Sequence, residues 1–245
     1  MRVAVIADIH GNLLALEAVL AEVEAAAPDL LIELGDAVSG PLQPAGCFER
    51  LAALDAVLIR GNHDRWVAAD SPDGLSPVDR FTWERLSPGQ RAALMARPMV
   101  WRDAGILAMH ALAADDNAHL LHEATPEGVR ERRPPEVQAL LPPSAGETLV
   151  LTAHTHRLGT ALLPDGRLVV NPGAVGLPAY RDTEPHPHAM EAGSPHARWA
   201  LLEWRRGQWH VEHRAVPYDW AAASAEAARN GAPRWAHAIA HGILN

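Results

Sequence analysis

Five apolar runs in this chain end in side chains that bind metal ions. "VAVIADIH" closes on Asp8 and His10, "LLIELGD" on Asp36, and "AVLIRGNHD" on Asn62, His63 and Asp64. Further on, "GILAMH" closes on His110 and "TLVLTAHTH" on His154 and His156. Carboxylate, amide and imidazole are oxygen and nitrogen donors, suited to divalent ions such as Mn, Fe, Zn, Co or Ni, and their types do not choose among these. A His-x-His pair taken alone is ambiguous. In extended chain the two rings share a face and could hold one ion, two ions or none. Repetition at five run ends is what argues for a site, because unpaired buried charge is costly and a cation compensates it.

The elements that position these residues read as an α/β fold. Arg2 to Ala7 is a β-branched strand, and Asn12 is a candidate N-cap for a helix over "LLALEAVLAEVEAA". "DLLIEL" and "AVLIR" read as strands with the helix "CFERLAAL" between them. This β–α–β–α–β order over the first 64 residues predicts parallel strands, and sites in such sheets gather outside the strands' carboxyl ends. "WERL" and "GQRAALMA" read as short helices, "MVWR" and "GILAM" as strands, and residues 111–145 as short helical pieces including "PEVQALL". "LLPDGRLVVN" is a hairpin by its Pro-Asp-Gly turn. "RWALLEW" and "QWHVEHRAV" add strands, and Trp220 to Ile243 predicts two short helices. Tyr180 to Pro195, polar and rich in proline, reads as a loop. The expected organisation is one domain over 1–245, with 219–245 as a C-terminal helical appendage.

Composition narrows the function classes. The single cysteine, Cys47, excludes an intrachain disulfide and any cysteine-based cluster, and points to a cytoplasmic address. The apolar run before Asp8 is too short for a signal segment, and no stretch is apolar enough to span a membrane. The formal net charge of −9 argues against a broad nucleic-acid-binding face. All 21 basic residues are arginine, so Schiff-base lysine chemistry is excluded. Nothing in the composition speaks to oligomeric state.

The ordered motifs Asp8-Ile9-His10, Gly35-Asp36, Gly61-Asn62-His63-Asp64, His110 and His154-Thr155-His156 resemble those of the calcineurin-like metallophosphoesterases, in their small bacterial branch. "VNPGAVGLP", Val170 to Pro178, looks like the family's Asn-Pro-Gly turn. The resemblance implies a layered α-β-β-α sandwich of two stacked mixed sheets flanked by helices. It also implies a two-metal site: Asp8, His10 and His156 on one ion, Asn62, His110 and His154 on the other, and Asp36 bridging. A bridging hydroxide would attack a phosphoester, with His63 beside the leaving oxygen as proton donor or charge stabiliser. Asn62 and His63 would also touch the phosphate, and Arg157 and Arg181 are further candidates for that contact.

Three departures qualify the resemblance. Ala153 replaces the glycine before His-x-His, which is tolerable if its φ is negative. Ser39 and Gly40 stand where the protein serine/threonine phosphatases of the superfamily carry Asp and Arg. The carboxylate that orients the catalytic histidine there is therefore expected to be missing, which favours a small phosphoester substrate over a phosphoprotein. A nuclease and a non-catalytic scaffold are the other readings, opposed by the net charge and by the presence of His63. Glu33 is an acid in a strand that should be buried, without a visible partner. Asp64 is expected to cap or to support rather than to bind metal. The His186-Pro187-His188 segment is a candidate to fold over the site, while His210, His237 and His241 are expected to face solvent.

Overall fold

The computed structural model describes residues 1–245. Its strands and helices run in the order β1 (Arg2–Ile6), α1 (Leu13–Ala26), β2 (Leu30–Glu33), α2 (Pro44–Ala52), β3 (Val57–Leu58), α3 (Asn62–Val67), α4 (Pro77–Arg85), α5 (Pro88–Ala96), β4 (Val100–Asp103) and β5 (Ile106–Met109). There follow β6 (His122–Thr125), β7 (Gly128–Glu131), α6 (Pro134–Leu140), β8 (Leu149–Leu151), β9 (Gly159–Leu162), β10 (Leu168–Asn171), β11 (Ala179–Asp182), β12 (His188–Glu191), β13 (Ala197–Arg205), β14 (Gln208–Val216), α7 (Trp220–Arg229) and α8 (Pro233–His241). No helix is long and apolar enough to cross a membrane.

The strands form two five-stranded mixed sheets, β14-β13-β1-β2-β3 and β4-β5-β8-β10-β9. In the first, β1, β2 and β3 are parallel. In the second, β5, β8 and β10 are parallel. Antiparallel strands form one edge of the first sheet, β13 and β14, and both edges of the second, β4 and β9. Period-two alternation gives each sheet two apolar faces. Val3, Val5 and Ile32 of the first sheet share one buried cluster with Ile106, Leu149 and Val170 of the second, so these faces pack together. The opposite face of the first sheet, with Ala4, Ile6 and Trp199, packs on α1, α2 and α5. The opposite face of the second, with Leu107, Val150 and Val169, packs on α6. Helices, sheet, sheet and helix thus make the four expected layers.

Local signals explain most boundaries. Asn12 caps α1, its Oδ1 accepting from Ala15 N at 3.2 Å. Ser76 and Ser87 cap α4 and α5, each followed by proline in the first turn. Two hairpins depart from expectation. Residues 122–131 pair as β6 and β7 instead of forming helix, around a turn in which Gly128 holds φ 125°. The Tyr180–Pro195 segment contains paired strands, β11 with β12. In β12 His188 and Met190 are buried while Ala189 and Glu191 are exposed, a period of two that the prolines obscured.

Candidate metal centre and its cavity

Every candidate ligand lies just beyond the carboxyl end of a parallel strand: Asp8 and His10 after β1, Asp36 after β2, Asn62 after β3, His110 after β5, His154 and His156 after β8. All seven are buried. Asp8, His10, Asp36, His154 and His156 hold φ between 51° and 69°, the left-handed region. That conformation costs a non-glycine residue about 1–3 kcal/mol. Only Ala27, Ala104 and Arg206 share it elsewhere, so the strain is concentrated where five chain reversals turn donor atoms inward. Ala153 has no such φ and fits its position without strain.

Backbone and carboxylate contacts hold these turns. Asp64 accepts from the N–H groups of Asp36, Ala37 and Gly61 at 2.9, 3.1 and 3.1 Å, clamping the Gly35-Asp36 turn to the start of α3. A Cβ at Gly61 would collide with the Asp36 backbone and carboxylate. Asp36 Oδ1 accepts from His63 N at 2.9 Å, which leaves Oδ2 3.4 Å from His110 Nε2 and 3.8 Å from His10 Nε2. Glu33 is wholly buried, accepts from Gly35 N at 2.8 Å and pairs with Arg97 at 3.3 Å. This accounts for the acid in β2.

Two buried clusters each bring three ligand atoms within 4.8 Å of one another: Asp8, His10 and His156, and Asp36, His110 and His154. Asn62 Oδ1 joins the second at 3.0 Å from His110 Nε2. The histidines' protons are already committed. His10 Nδ1 faces Ser39 O at 2.7 Å, His156 Nδ1 faces Leu177 O at 2.6 Å, and His110 Nδ1 faces Leu34 O at 2.9 Å. His154 Nε2 faces Asn117 O at 3.0 Å. A carbonyl accepts only, so each of these nitrogens carries the hydrogen, and in the neutral rings of His10, His154 and His156 the other nitrogen presents a lone pair inward. Burial opposes charge on His110, but Asp36 beside it pushes that ring up to about 10, so its Nε2 donates toward Asp36. His10 Nε2 and His156 Nε2 then meet at 3.1 Å, and both oxygens of buried Asp8 lack any hydrogen-bond partner. Lone pairs converging on lone pairs fit a cation between them.

The electrostatics agree. Burial pushes His10 down to about 4 against the pull of Asp36, and holds His154 and His156 well below the usual range. Burial pushes the Asp8 carboxyl up to about 8, against the pull of His110. Burial alone would raise Asp36, but His110, His63 and His10 around it hold it well below the usual carboxylate range. Asp8 thus has too little positive charge beside it, and a metal ion would supply it.

His63 lies at the start of α3 and lines the same cavity as the clusters. No carboxylate follows Gly35-Asp36 in the sequence, yet His63 does have one. Asp79, in the first turn of α4, places Oδ1 2.8 Å from His63 Nδ1. Ser39 Oγ donates to the same Oδ1 at 2.5 Å and lies 3.4 Å from His63 Nδ1. The expected absence is corrected: a helix from another part of the chain supplies the group.

The cavity has a volume of about 1020 Å³. His10, Asp36, Asn62, His63, His154 and His156 line it together with Trp66, Tyr180, Arg181, Trp235 and the chain end at Asn245. Tyr180 OH donates to His154 O at 3.2 Å, and its ring lies 4.6 Å from that of His156. Trp66 and Trp235 stand edge-on to His63 and His10 at 4.5 and 5.6 Å. These aromatic walls, and the role of α8 in forming one, were not read from the sequence. Arg181 lines the cavity and donates to Asn245 O at 3.2 Å. Arg157 does not line it; its charge is near enough to His122 to add to the burial that holds that ring down. His186 and His188 stay out of the cavity as well. The His188 ring packs at 5.1 Å on His119, which lies 5.2 Å from His154. His210 and His241 are exposed, as expected.

Comparison with known proteins gives the same reading. A structure of a metallophosphoesterase from Sphaerobacter thermophilus superposes with a TM-score of 0.76 at 24% identity, over 99% of this chain and 100% of that one. Hypothetical protein PH1004 from Pyrococcus horikoshii superposes at 0.74 with 21% identity, over 100% and 99%. An uncharacterised protein of Methanocaldococcus jannaschii, MJ0912, is 26% identical over 95% of this chain and 94% of its own length. The profile of the calcineurin-like phosphoesterase superfamily domain matches residues 1–190. The chain belongs to the calcineurin-like phosphoesterase superfamily and is by class a hydrolase of phosphoric ester bonds.

Proposed function

We propose that the protein hydrolyses a small phosphodiester or phosphomonoester at a dinuclear metal centre. The observation that carries this reading is the 3.1 Å approach of His10 Nε2 and His156 Nε2 beside the unpartnered carboxylate of Asp8. Asp8, His10 and His156 would hold one ion, Asn62, His110 and His154 the other, and Asp36 would be shared through Oδ2. Two bound divalent ions would stabilise charge on a phosphoryl group and supply an acidified water as nucleophile at neutral pH.

The remaining work falls to the chain. Asn62 uses its amide oxygen toward the metal side and keeps an NH₂ for a phosphate oxygen. His63 stands at the leaving-group side. Trp66, Tyr180 and Trp235 give the organic part apolar walls, and Arg181 puts a cation near the mouth. Because α8 and the chain end form part of those walls, 219–245 works with the rest as one domain. A walled cavity of this size suits a small ester better than a folded phosphoprotein.

The test is hydrolysis of bis(4-nitrophenyl) phosphate and 4-nitrophenyl phosphate by protein stripped with EDTA and then supplied with Mn²⁺. Activity should vanish on stripping and return on addition. Hydrolysis that ignores the chelator would sink the proposal.

A further inference from the structure

His63 is held by a small network that spans three separate parts of the chain. Its Nδ1 lies 2.8 Å from Asp79 Oδ1. Ser39, in the loop between β2 and α2, donates to that same oxygen at 2.5 Å. Ser76 donates to Asp79 Oδ2 at 2.6 Å and accepts from Asp79 N at 3.1 Å, fixing the carboxylate from its other side. Asp79 is 2% exposed. A buried carboxylate needs this many donors, and three of them converge on it here. The arrangement leaves His63 Nε2 for the cavity the residue lines.

We propose that Asp79, itself set by Ser39 and Ser76, is the positioning residue for His63, and that it equips the site for esters of poorly activated alcohols. This rests on the phosphoesterase reading. As water attacks phosphorus and gives up one proton to solvent, the bond to the leaving oxygen breaks and its electron pair goes to that oxygen. His63 gives that oxygen the Nε2 proton, Nδ1 keeps the proton it donates to Asp79, and solvent returns one proton to Nε2. An alkoxide or phenoxide needs this proton, whereas a 4-nitrophenolate leaves readily without it. The usual carboxylate position after Gly35-Asp36 holds Ser39, and that serine grips the substitute.

The experiment compares wild type, Asp79→Asn, Ser39→Ala and His63→Ala, all loaded with Mn²⁺, on aryl phosphodiesters running from 4-nitrophenyl to phenyl leaving groups. General acid catalysis is worth about 10²–10⁴-fold, so Asp79→Asn should lower kcat on the phenyl ester at least about tenfold more than on the 4-nitrophenyl ester, with KM nearly unchanged. Combining Asp79→Asn with His63→Ala should add little to His63→Ala alone, because the two residues act as a unit. Equal losses across the series, or full additivity, would overturn the assignment. A second readout needs no turnover. In metal-free, nitrogen-15-labelled protein, His63 Nδ1 should give a downfield proton protected from exchange, lost in Asp79→Asn. Its absence from wild type would also overturn the positioning role. If wild type hydrolyses no ester with any metal, the phosphoesterase reading and the substrate class fall together, and the nuclear magnetic resonance result alone decides whether Asp79 holds His63.

Discussion

His10 Nε2 and His156 Nε2 stand 3.1 Å apart, and neither has a proton for the other, because Ser39 O and Leu177 O have claimed the hydrogens on the far side of each ring. The same logic applied to His154 places its free nitrogen with His110 and Asp36 instead. His154 and His156, one residue apart, therefore belong to different clusters. His156→Ala and His154→Ala should each lose one equivalent of metal and keep the other. Elemental analysis after equilibration with Mn²⁺ checks this, and competition with a second metal shows whether the retained sites differ. Loss of the same site from both variants would contradict the split.

Asp36 shares itself between a backbone contact and the centre. Oδ1 accepts the His63 amide, and Oδ2 faces His110 Nε2 at 3.4 Å and His10 Nε2 at 3.8 Å. Asn in its place keeps an acceptor for His63 but loses the charge. The variant should fold, bind at most one equivalent of metal and lose hydrolysis. Metal binding at 100 times Kd stabilises a protein by about 2.7 kcal/mol per site, so the rise in melting temperature on adding Mn²⁺ should be clearly smaller than in wild type. Equal metal-induced shifts would argue that Asp36 is not shared.

Gly176 marks where the turn "VNPGAVGLP" presses on the loop that carries Asp8 and His10. Its N–H donates to Asp8 O at 3.0 Å, its carbonyl accepts from Asn12 at 3.0 Å, and a Cβ would collide with the Ile9 carbonyl. Gly176→Ala should cost about 1–3 kcal/mol and displace the first cluster. Gly89 in α5 is exposed, and a Cβ there would meet only Ser87 Oγ at an ordinary 3.9 Å, so Gly89→Ala should be neutral or stabilise by up to about 1 kcal/mol. Urea denaturation of both variants, with metal content for the first, tests the pair. A Gly176→Ala protein as stable as wild type would show that the turn can yield.

The convergence of the candidate ligands was legible because each closes an apolar strand, and strand ends in parallel sheets converge. Their order along the chain carried the rest. Asp79 was invisible for the opposite reason. In sequence, Ser76-Pro77-Val78-Asp79 is a helix N-terminus, and its capping bonds are real. Only the packing of α4 beside α3 turns the same carboxylate toward His63. Arg157, a candidate for phosphate contact, directly follows His156 in sequence yet does not line the cavity. Glu33 needed a partner 64 residues away, Arg97, which no local pattern announces. The β6–β7 and β11–β12 hairpins are short, charged or proline-rich, and their strandedness lies in the pairing rather than in propensity.

His122 gives a prediction about acid that is independent of the centre's chemistry. It lies in β6, is 2% exposed, and its Nδ1 has no partner. Burial, then the neighbouring Arg157 and His119, push it down to about 4 from an ordinary value near 6.5. At pH 7 the ring is neutral both folded and unfolded, so nothing is lost. Below about 6.5 the unfolded chain takes up a proton that the folded chain refuses until about pH 4. Stability must therefore fall as pH falls through that window, by an amount on the order of 2–3 kcal/mol for this residue. His122→Phe removes the titrating group while keeping a ring of similar size. Between pH 7 and 5 the variant should lose less stability than wild type, by about 1–2 kcal/mol in urea denaturation. Part of the acid sensitivity should persist, since His213 is half-buried, with neither ring nitrogen bonded and its value pushed down by burial. Identical pH dependence in variant and wild type would mean that His122 gains protons equally well in both states, and the buried neutral ring would have to be abandoned.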